Sequence, residues 1–399
     1  MPQTEEQIIQ NRTVVKSRVF HHINTEEPGP ITVFFGGIHG NEKAGVYGLN
    51  NFFKEVEASD FKGEIFAVHG NIKALESNKR FLTSDLNRMW TSAQIDDLER
   101  KSDLNEEQQE QEEILHLITQ ILNRSTDQPI YFIDLHTTSS KSLPFITIND
   151  ALINRKFSRC FPVPVVLGIE EYLEGPLLSY LNKKGYVSLG FEAGQHTDPE
   201  AIKNCEAFIS LVLHHTGNFK NLDQDKIERC ENHLKMASEY INSIYEVIHK
   251  HHIKSEENFK MVDGFKSFQK IRKGTLIAYS NGEKVLAEQT AMLFMPLYQK
   301  SGNDGFFIIK NIPKFFLKLS EILRILKADT LLTWLPGITW YDKRNGVLKA
   351  NLKIAKFLTV SIFHLFGYRN KEIGKTELLL YNRERVSKTS LYHSTSWCN

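Results

Sequence analysis

The stretch Ile31-Thr-Val-Phe-Phe-Gly-Gly-Ile-His-Gly-Asn-Glu42 begins with the pattern of a β-strand and ends with the ionisable residues His39 and Glu42. Its first five residues form an unbroken apolar and β-branched run, which is typical of a strand covered on both faces of an α/β sheet. The glycines that follow permit a sharp turn and a close backbone approach. His39 and Glu42 therefore lie at the carboxyl end of the strand, where open α/β sheets bind their ligands.

Similar apolar runs recur downstream and alternate with helical patterns. Strands are predicted over residues 31–35, 65–69, 130–133, 163–167 and 186–191. Helices are predicted over residues 44–58, 105–122, 199–215 and 226–252. This alternation predicts an α/β fold in which helices flank a mixed sheet.

The pattern changes after residue 255. Short strand-like pieces punctuated by glycine continue to residue 312 and indicate a small β-barrel or β-sandwich domain. From residue 313 the chain is basic, with helical patterns over 315–327 and 347–366. We therefore expect a catalytic α/β domain over 1–255, a small β domain over 256–312 and a basic, mainly helical extension over 313–399.

The charges are balanced overall but unevenly distributed. The 49 Lys and Arg residues against 48 Asp and Glu residues give a net charge of +1, which provides no field that would attract nucleic acid. From Lys310 onward the balance is 16 − 6 = +10, which leaves 33 − 42 = −9 for the rest of the chain. Such a basic region can contact an anionic surface or dock on the acidic body, and we favour docking or plain solvation.

The N-terminal residues are polar and acidic, without an apolar segment of signal-peptide length. The most apolar stretch, 357–367, is too short to span a bilayer and contains His364. The four cysteines lack Cys-x-x-Cys spacing, which favours reduced thiols over a disulfide framework or a thiolate metal site. We therefore expect a cytoplasmic protein with no transmembrane segment.

A candidate metal site arises from two strand ends. The first carries His39 and Glu42, and the second carries His136 in Ile133-Asp-Leu-His-Thr137. Two imidazoles and one carboxylate, with a position open for water, match the ligands of catalytic zinc. Asp134 lies two residues before His136, so it shares a strand face with it and can orient a ligand imidazole. Taken alone, each residue is better explained as an ordinary solvated or backbone-bound side chain.

Two further segments contain residues that could bind a substrate or transfer a proton at this metal site. Arg80, Asn87 and Arg88 lie in one polar segment, and arginine binds a carboxylate through two parallel hydrogen bonds. Glu192 ends another predicted strand and is a candidate general base. An exposed loop and a solvated strand end are the alternatives for each segment taken singly.

In order along the chain, these motifs resemble those of the succinylglutamate desuccinylase/aspartoacylase family, a branch of the zinc carboxypeptidase-like fold. The matching motifs are Gly-Gly-Ile-His-Gly-Asn-Glu at 36–42, Asp-Leu-Asn-Arg at 85–88, Asp-Leu-His-Thr at 134–137 and Phe-Glu-Ala-Gly at 191–194. The similarity covers about residues 31–215, and the β region resembles the smaller C-terminal domain of the family. The basic extension has no counterpart that the resemblance assigns.

The resemblance implies a role for each matched residue. His39, Glu42 and His136 would bind one Zn²⁺ per chain. Glu192 would be the general base and then the proton donor, and Arg80 would polarise the substrate carbonyl. Asn87 and Arg88 would bind a substrate carboxylate.

Two positions depart from the family pattern. Aspartoacylases carry an arginine ten residues before the catalytic glutamate, and it binds a second substrate carboxylate. Here that position is Asn182, followed by Lys183 and Lys184, either of which is a candidate substitute. Tyr298 is the candidate for the substrate-contacting tyrosine of the β domain.

The sequence thus predicts zinc-dependent hydrolysis of the amide bond of an N-acyl amino acid or a related small carboxylate. A zinc metallocarboxypeptidase acting on peptides is the nearer alternative. A non-catalytic zinc protein that binds a partner through its basic extension is the more distant one. The expected partner is a small N-acyl substrate rather than a nucleic acid, and assembly of identical chains stays open.

Overall fold

A mixed sheet of eleven strands dominates the structure, a computed structural model that describes residues 17–98, 100–124, 127–221, 223–351, 353–355, 360–373 and 377–398. The first fourteen strands are β1 (Val19–Asn24), β2 (Ile31–Gly36), β3 (Glu64–His69), β4 (Ile130–Thr138), β5 (Phe145–Ile148), β6 (Val165–Leu167), β7 (Val187–Gln195), β8 (Ile244–His252), β9 (Phe259–Met261), β10 (Gln269–Ile271), β11 (Leu276–Ser280), β12 (Glu283–Leu286), β13 (Ala291–Phe294) and β14 (Asp304–Asn311). The order in the large sheet is β1-β3-β2-β4-β7-β5-β6-β8-β14-β13-β10, and β3, β2, β4 and β7 are mutually parallel. The five predicted strands are confirmed as β2, β3, β4, β6 and β7.

Helices cover both faces of the parallel strands. The helices of this region are α1 (Ala44–Lys54), α2 (Ile72–Ser77), α3 (Ser92–Leu98), α4 (Glu106–Arg124), α5 (Leu152–Ser158), α6 (Leu177–Lys183), α7 (Glu200–Thr216) and α8 (Gln224–Ala237). Phe34 of β2 packs in the core shared with α1 and α7, whereas its neighbours Val33 and Phe35 pack in the core shared with α4 and α6. Because alternate residues of a strand point to opposite faces, a strand covered on both faces must be apolar throughout.

The predicted helix over 226–252 is wrong in its second half. The helix α8 ends at Ala237, and the chain returns as β8, which pairs with β6 and β14. Glu239 and Tyr240 have positive φ angles of 52° and 58°, so the helix cannot continue through them. Burial then alternates at Tyr245 and Val247, which is the period of a strand.

The predicted small β region is continuous with the large sheet. Through β8, the strands β14, β13 and β10 extend that sheet, while β9, β11 and β12 form a separate antiparallel sheet of three strands. Met261 and Ile277 of the small sheet share a hydrophobic cluster with Leu293 and Phe306 of the large one, so the two sheets pack against each other. The domain boundaries at residues 255 and 312 stay predictions.

The extension contains a sheet as well as helices, which corrects the expectation that it is mainly helical. Its elements are α9 (Lys314–Ile325), β15 (Ile338–Asp342), β16 (Val347–Asn351), α10 (Val360–Leu365), β17 (Tyr368–Ile373) and β18 (Glu377–Asn382), and the sheet order is β15-β16-β18-β17. The helix predicted over 315–327 is confirmed by α9. The one predicted over 347–366 is wrong at its start, because Leu348 and Ala350 are buried in a strand paired on both sides. Residues 352 and 356–359 of that prediction lie outside the described residues.

Buried ion pairs hold the extension against the catalytic region. Nη2 of Arg324 lies 2.6 Å from Oδ2 of Asp150. Nη2 of Arg383 lies 2.9 Å from Oε1 of Glu170 and 2.7 Å from Oε1 of Glu171. Both arginines are buried, and an unpaired charge at such a depth costs several kcal/mol. These contacts therefore determine where the extension docks.

Replacing Arg383 by Met is expected to lower the free energy of unfolding by about 3–5 kcal/mol, because Glu170 and Glu171 lose the guanidinium that they share. Arg385→Met is the matched control. Arg385 is partly exposed and pairs with Asp329 across 3.3 Å, and this buried carboxylate also accepts hydrogen bonds from Tyr368 and Asn382. The loss of Arg385 should therefore cost only about 1 kcal/mol. Urea unfolding of the two variants measures both changes, and equal losses would contradict the prediction.

Candidate metal centre and its cavity

Two neighbouring parallel strands bring the candidate metal ligands to one edge of the sheet. The turn after β2 carries His39 and Glu42, and β4, which pairs with β2, carries His136. Gly40 lets this turn pack tightly against α2, since a Cβ there would lie 2.0 Å from the backbone carbonyl carbon of Ala74. The position of the turn is therefore fixed by backbone contact.

The three side chains face one another through their nitrogen and oxygen atoms. Nδ1 of His39 lies 2.8 Å from Oε1 of Glu42, and Nδ1 of His136 lies 2.9 Å from Oε2 of the same carboxylate. All three residues are buried, and one ligand atom from each lies within 4.8 Å of the other two. Imidazole nitrogen and carboxylate oxygen are ligands of catalytic zinc. The set can therefore hold a metal ion.

Carboxylates fix the outer nitrogen of each histidine. Nε2 of His136 lies 2.7 Å from Oδ2 of Asp134, and Nε2 of His39 lies 3.1 Å from Oδ1 of Asp85. Such partners orient metal-binding imidazoles and keep the opposite nitrogen for the ion. The contact predicted for Asp134 is confirmed. The contact of Asp85 was not predicted, although Asp85 begins the motif that contains Arg88.

The ionisable groups of the ligand set carry charges that a divalent cation can compensate. Burial raises the pKa of Glu42, but the imidazoles of His39 and His136 outweigh burial and hold that pKa well below its usual value. Burial lowers the pKa of His136, but the carboxylates of Asp134 and Glu42 hold it well above its usual value. Without a metal, a proton on the His136 imidazole therefore compensates the neighbouring carboxylates. A divalent ion takes over that role when it binds, because its ligands must be deprotonated.

Arg80 lies directly beside the ligand set. Its Nη1 lies 3.4 Å from Oε1 of Glu42, and its Nη2 lies 3.0 Å from Oδ2 of Asp85. The backbone N–H of Gly40 donates to the carbonyl of Arg80 across 3.2 Å, which ties the arginine to the turn. Burial lowers the pKa of Arg80, but the carboxylates of Asp85 and Glu42 raise it overall. A fixed positive charge thus borders the candidate metal site.

Glu192 lies in β7, opposite His136 in the neighbouring β4. Its Oε2 is buried and has no hydrogen-bond partner among the described residues. Burial raises the pKa of Glu192 to about 8, with His136 opposing the shift and Glu42 adding to it. A cation at the ligand set would oppose the shift further. Glu192 is thus a buried carboxyl group with a free oxygen, suited to exchanging a proton near neutral pH.

Asn87 and Arg88 are held in place by other parts of the chain. Oδ1 of Asn87 accepts a hydrogen bond of 2.9 Å from the backbone N–H of Leu177. Nη2 of Arg88 donates to Oδ2 of Asp304 across 3.0 Å, and Nζ of Lys250 lies 3.0 Å from the other oxygen of that carboxylate. Arg88 therefore already binds a carboxylate, which comes from β14.

A cavity of about 670 Å³ contains the whole set. It is lined by every predicted site residue: His39, Glu42, Arg80, Asn87, Arg88, His136 and Glu192. Residues outside the predicted set also line the cavity, among them Asp85, His196, Lys250, Gln299, Asp304 and Glu170. A cavity of this size suits a small-molecule ligand.

The residues at the positions that depart from the family pattern, 182–184 and 298, are not among those that line the cavity. Among the described residues, the cavity walls include neither Asn182 nor the lysines at 183 and 184. Tyr298 does not line the cavity either, because its hydroxyl donates to the carbonyl of Val262 across 2.7 Å and accepts from the N–H of Phe265 across 2.9 Å. The candidate role of Tyr298 therefore stays a prediction, and its neighbours Leu297 and Gln299 line the cavity.

Sequence comparison matches residues 28–215 to the succinylglutamate desuccinylase/aspartoacylase catalytic domain. The aspartoacylase of Rattus norvegicus is 33% identical over 118 residues, which are 29% of this chain and 36% of that protein. A probable aspartoacylase of Acaryochloris marina is 30% identical over 125 residues, which are 31% of this chain and 40% of that protein. The chain thus matches less than half the length of these two relatives.

Solved structures show the same fold at lower identity. The succinylglutamate desuccinylase/aspartoacylase of Rhodobacter sphaeroides superposes with a TM-score of 0.54 at 15% identity, over 72% of this chain and 87% of that one. The product-bound ectoine utilization protein of Ruegeria pomeroyi gives a TM-score of 0.54 at 16% identity, over 73% of this chain and 88% of that one. Residues 28–215 therefore match the catalytic domain of the succinylglutamate desuccinylase/aspartoacylase family in sequence, and the shared fold covers a larger part of the chain.

Proposed function

We propose that the protein is a zinc-dependent deacylase that hydrolyses the amide bond of an N-acyl amino acid or a related small carboxylate. The observation that carries the proposal is the convergence of the His39, Glu42 and His136 ligand set, the Arg80 guanidinium and the unpaired oxygen of Glu192 in one cavity. Relatives in the same family carry the names aspartoacylase and desuccinylase, which supports amide hydrolysis as the reaction class.

In this proposal His39, Glu42 and His136 bind one Zn²⁺ per chain. When bound, zinc lowers the pKa of water toward ~7 and so supplies a nucleophile at neutral pH. Asp85 and Asp134 keep the two imidazoles in the orientation that binding requires.

Glu192 carries the proton through the reaction. It takes a proton from the attacking water as the water oxygen bonds to the amide carbonyl carbon. It then gives that proton to the amide nitrogen as the C–N bond breaks, which releases an acid and an amine. Its buried position favours both steps, because the neutral and ionised forms of the carboxyl lie close in free energy.

Arg80 and Arg88 interact with different negative charges of the substrate. Arg80 borders the ligand set, and its guanidinium donates to the carbonyl oxygen as that oxygen gains negative charge. Arg88 and Asn87 bind the carboxylate that fixes the position of the substrate. In the bound state the substrate carboxylate takes the place of Asp304 on Arg88, and Lys250 retains Asp304.

Comparing N-acyl amino acids with short peptides tests the proposal. We expect faster turnover of N-acyl amino acids, because the cavity suits a small molecule. Faster turnover of peptides would instead identify a metallocarboxypeptidase. Bound zinc without turnover of either class would leave a non-catalytic zinc protein. We also propose a cytoplasmic location, on the cysteine spacing described above.

A further inference from the structure

Helix α9 in the extension exposes an apolar face to solvent. Its buried residues are Leu317 and the polar residues Ser320 and Arg324. At 3.6 residues per turn, Phe315, Ile322 and Leu326 fall on the opposite side. Phe315 and Leu326 are each 70% exposed. The usual orientation of an amphipathic helix, with its apolar stripe toward the core, is therefore reversed.

Polar contacts fix this orientation. Nη2 of Arg324 binds Asp150, as described above, and the hydroxyl of Ser320 donates to the carbonyl of Leu365 across 2.8 Å. Nη1 of Arg155 donates to the same hydroxyl across 3.3 Å. Turning the helix to bury its apolar face would remove Arg324 from these buried partners. The apolar face therefore stays available to another surface.

Exposed apolar residues continue from the end of the helix into the segment that follows it. Ile325, the last residue of α9, is 62% exposed. Trp334 is 82% exposed at the end of the 3-10 segment Ala328–Trp334, which packs against α9. Leu331 in that segment is also exposed. Contiguous exposed apolar areas of this kind mark interaction sites.

The charged residues beside the exposed apolar face of α9 indicate which kind of partner it binds. Lys314, Lys318 and Lys327 are exposed along the helix and at its end. Glu321, the acidic residue of α9, is partly buried and lies 4.0 Å from Arg159. Two copies meeting through this area would bring lysines against lysines. Anionic lipid headgroups would instead neutralise them, and a helix with lysines beside an apolar face is typical of attachment to such membranes.

We propose that α9 and the segment Ala328–Trp334 bind the anionic surface of a lipid bilayer, with the helix lying in the plane of the interface. Tryptophan prefers the depth of the headgroups, which suits Trp334. None of the helices in the described part of the chain has the length and hydrophobicity that crossing a bilayer requires, so the attachment is peripheral. This inference does not depend on the proposed deacylase reaction.

Co-sedimentation of the full chain with vesicles tests the inference. We expect binding to vesicles of equal parts phosphatidylcholine and phosphatidylglycerol, weaker binding to phosphatidylcholine alone, and a loss of binding as salt is raised. The double variant Ile322→Gln/Leu326→Gln should lower the affinity for the anionic vesicles by about tenfold or more. Both side chains are exposed, so the fold should tolerate the change.

Two controls accompany this measurement. Met236→Gln/Tyr240→Gln removes two exposed apolar residues of the catalytic region and should leave vesicle binding unchanged. Vesicles should shift the fluorescence emission of Trp334 to shorter wavelength, and Trp334→Phe should remove that shift.

Three results would overturn the inference. The first is the absence of binding to anionic vesicles, and the second is undiminished binding by the Ile322→Gln/Leu326→Gln variant. The third is a wild-type dimer in sedimentation that this variant dissociates, without vesicle binding, which would identify a second copy of the chain as the occupant.

Discussion

Glu192→Gln is expected to lower kcat by about 10²–10⁴-fold, because general acid–base catalysis contributes that factor and glutamine cannot take the proton. Zinc content should stay at that of the wild type, since Glu192 lies beside the ligand set without belonging to it. The measurement is steady-state hydrolysis of an N-acyl amino acid, with zinc determined on the same preparation.

Glu174→Gln is the control for this change, because Glu174 also lines the cavity but is exposed to solvent. It should leave kcat within a small factor of the wild-type value. A Glu192→Gln enzyme that keeps both its zinc and its full kcat would show that the proton moves through another group.

Arg80→Gln is expected to lower kcat by about 10²–10³-fold, because it removes a cation that stabilises developing charge on the carbonyl oxygen. Arg88→Gln should instead raise KM more than it lowers kcat, since Arg88 is proposed to bind a carboxylate away from the reacting bond. The two variants remove the same type of side chain from the lining of one cavity. A pure KM effect in Arg80→Gln would contradict its role at the carbonyl oxygen.

The ligand set was predictable because its signals are local. An unbroken apolar run predicts a strand covered on both faces, and the carboxyl ends of neighbouring parallel strands meet at one edge of the sheet. His39, Glu42 and His136 all follow or end such runs, and the structure brings them together. From the residues alone, Arg80 was a candidate for binding a carboxylate and Glu192 was a candidate general base, although an arginine in a loop or a glutamate at a strand end has many ordinary explanations. The role of Arg80 at the carbonyl oxygen came only from the family resemblance.

Contacts between residues far apart in the chain could not be predicted from local sequence patterns. Asp304 reaches Arg88 from β14, and Lys250 binds the other oxygen of Asp304 from β8. Nothing in the sequence around Arg88 indicates either residue. The end of α8 was also hidden, because the left-handed residues that terminate it are Glu239 and Tyr240 rather than glycine or asparagine.

The extension illustrates a different limit. Its first helix was predicted from the spacing of apolar residues, but spacing does not reveal which side of a helix is buried. Here the ion pair between Arg324 and Asp150 decides the orientation and leaves Phe315 and Leu326 exposed. In the following sheet, β16 is a five-residue strand, too short for its period to be distinguished from that of a helix.

Metal content and hydrolysis should be measured together on the wild type and on His39→Ala. We expect one zinc per wild-type chain and metal-dependent release of an amine from an N-acyl amino acid. Both should be lost in His39→Ala, because a ligand set of two histidines and one glutamate loses one of its members. Carefully prepared wild-type protein that binds no metal, or a His39→Ala variant that hydrolyses the substrate as fast as the wild type, would contradict the proposed zinc-dependent deacylase.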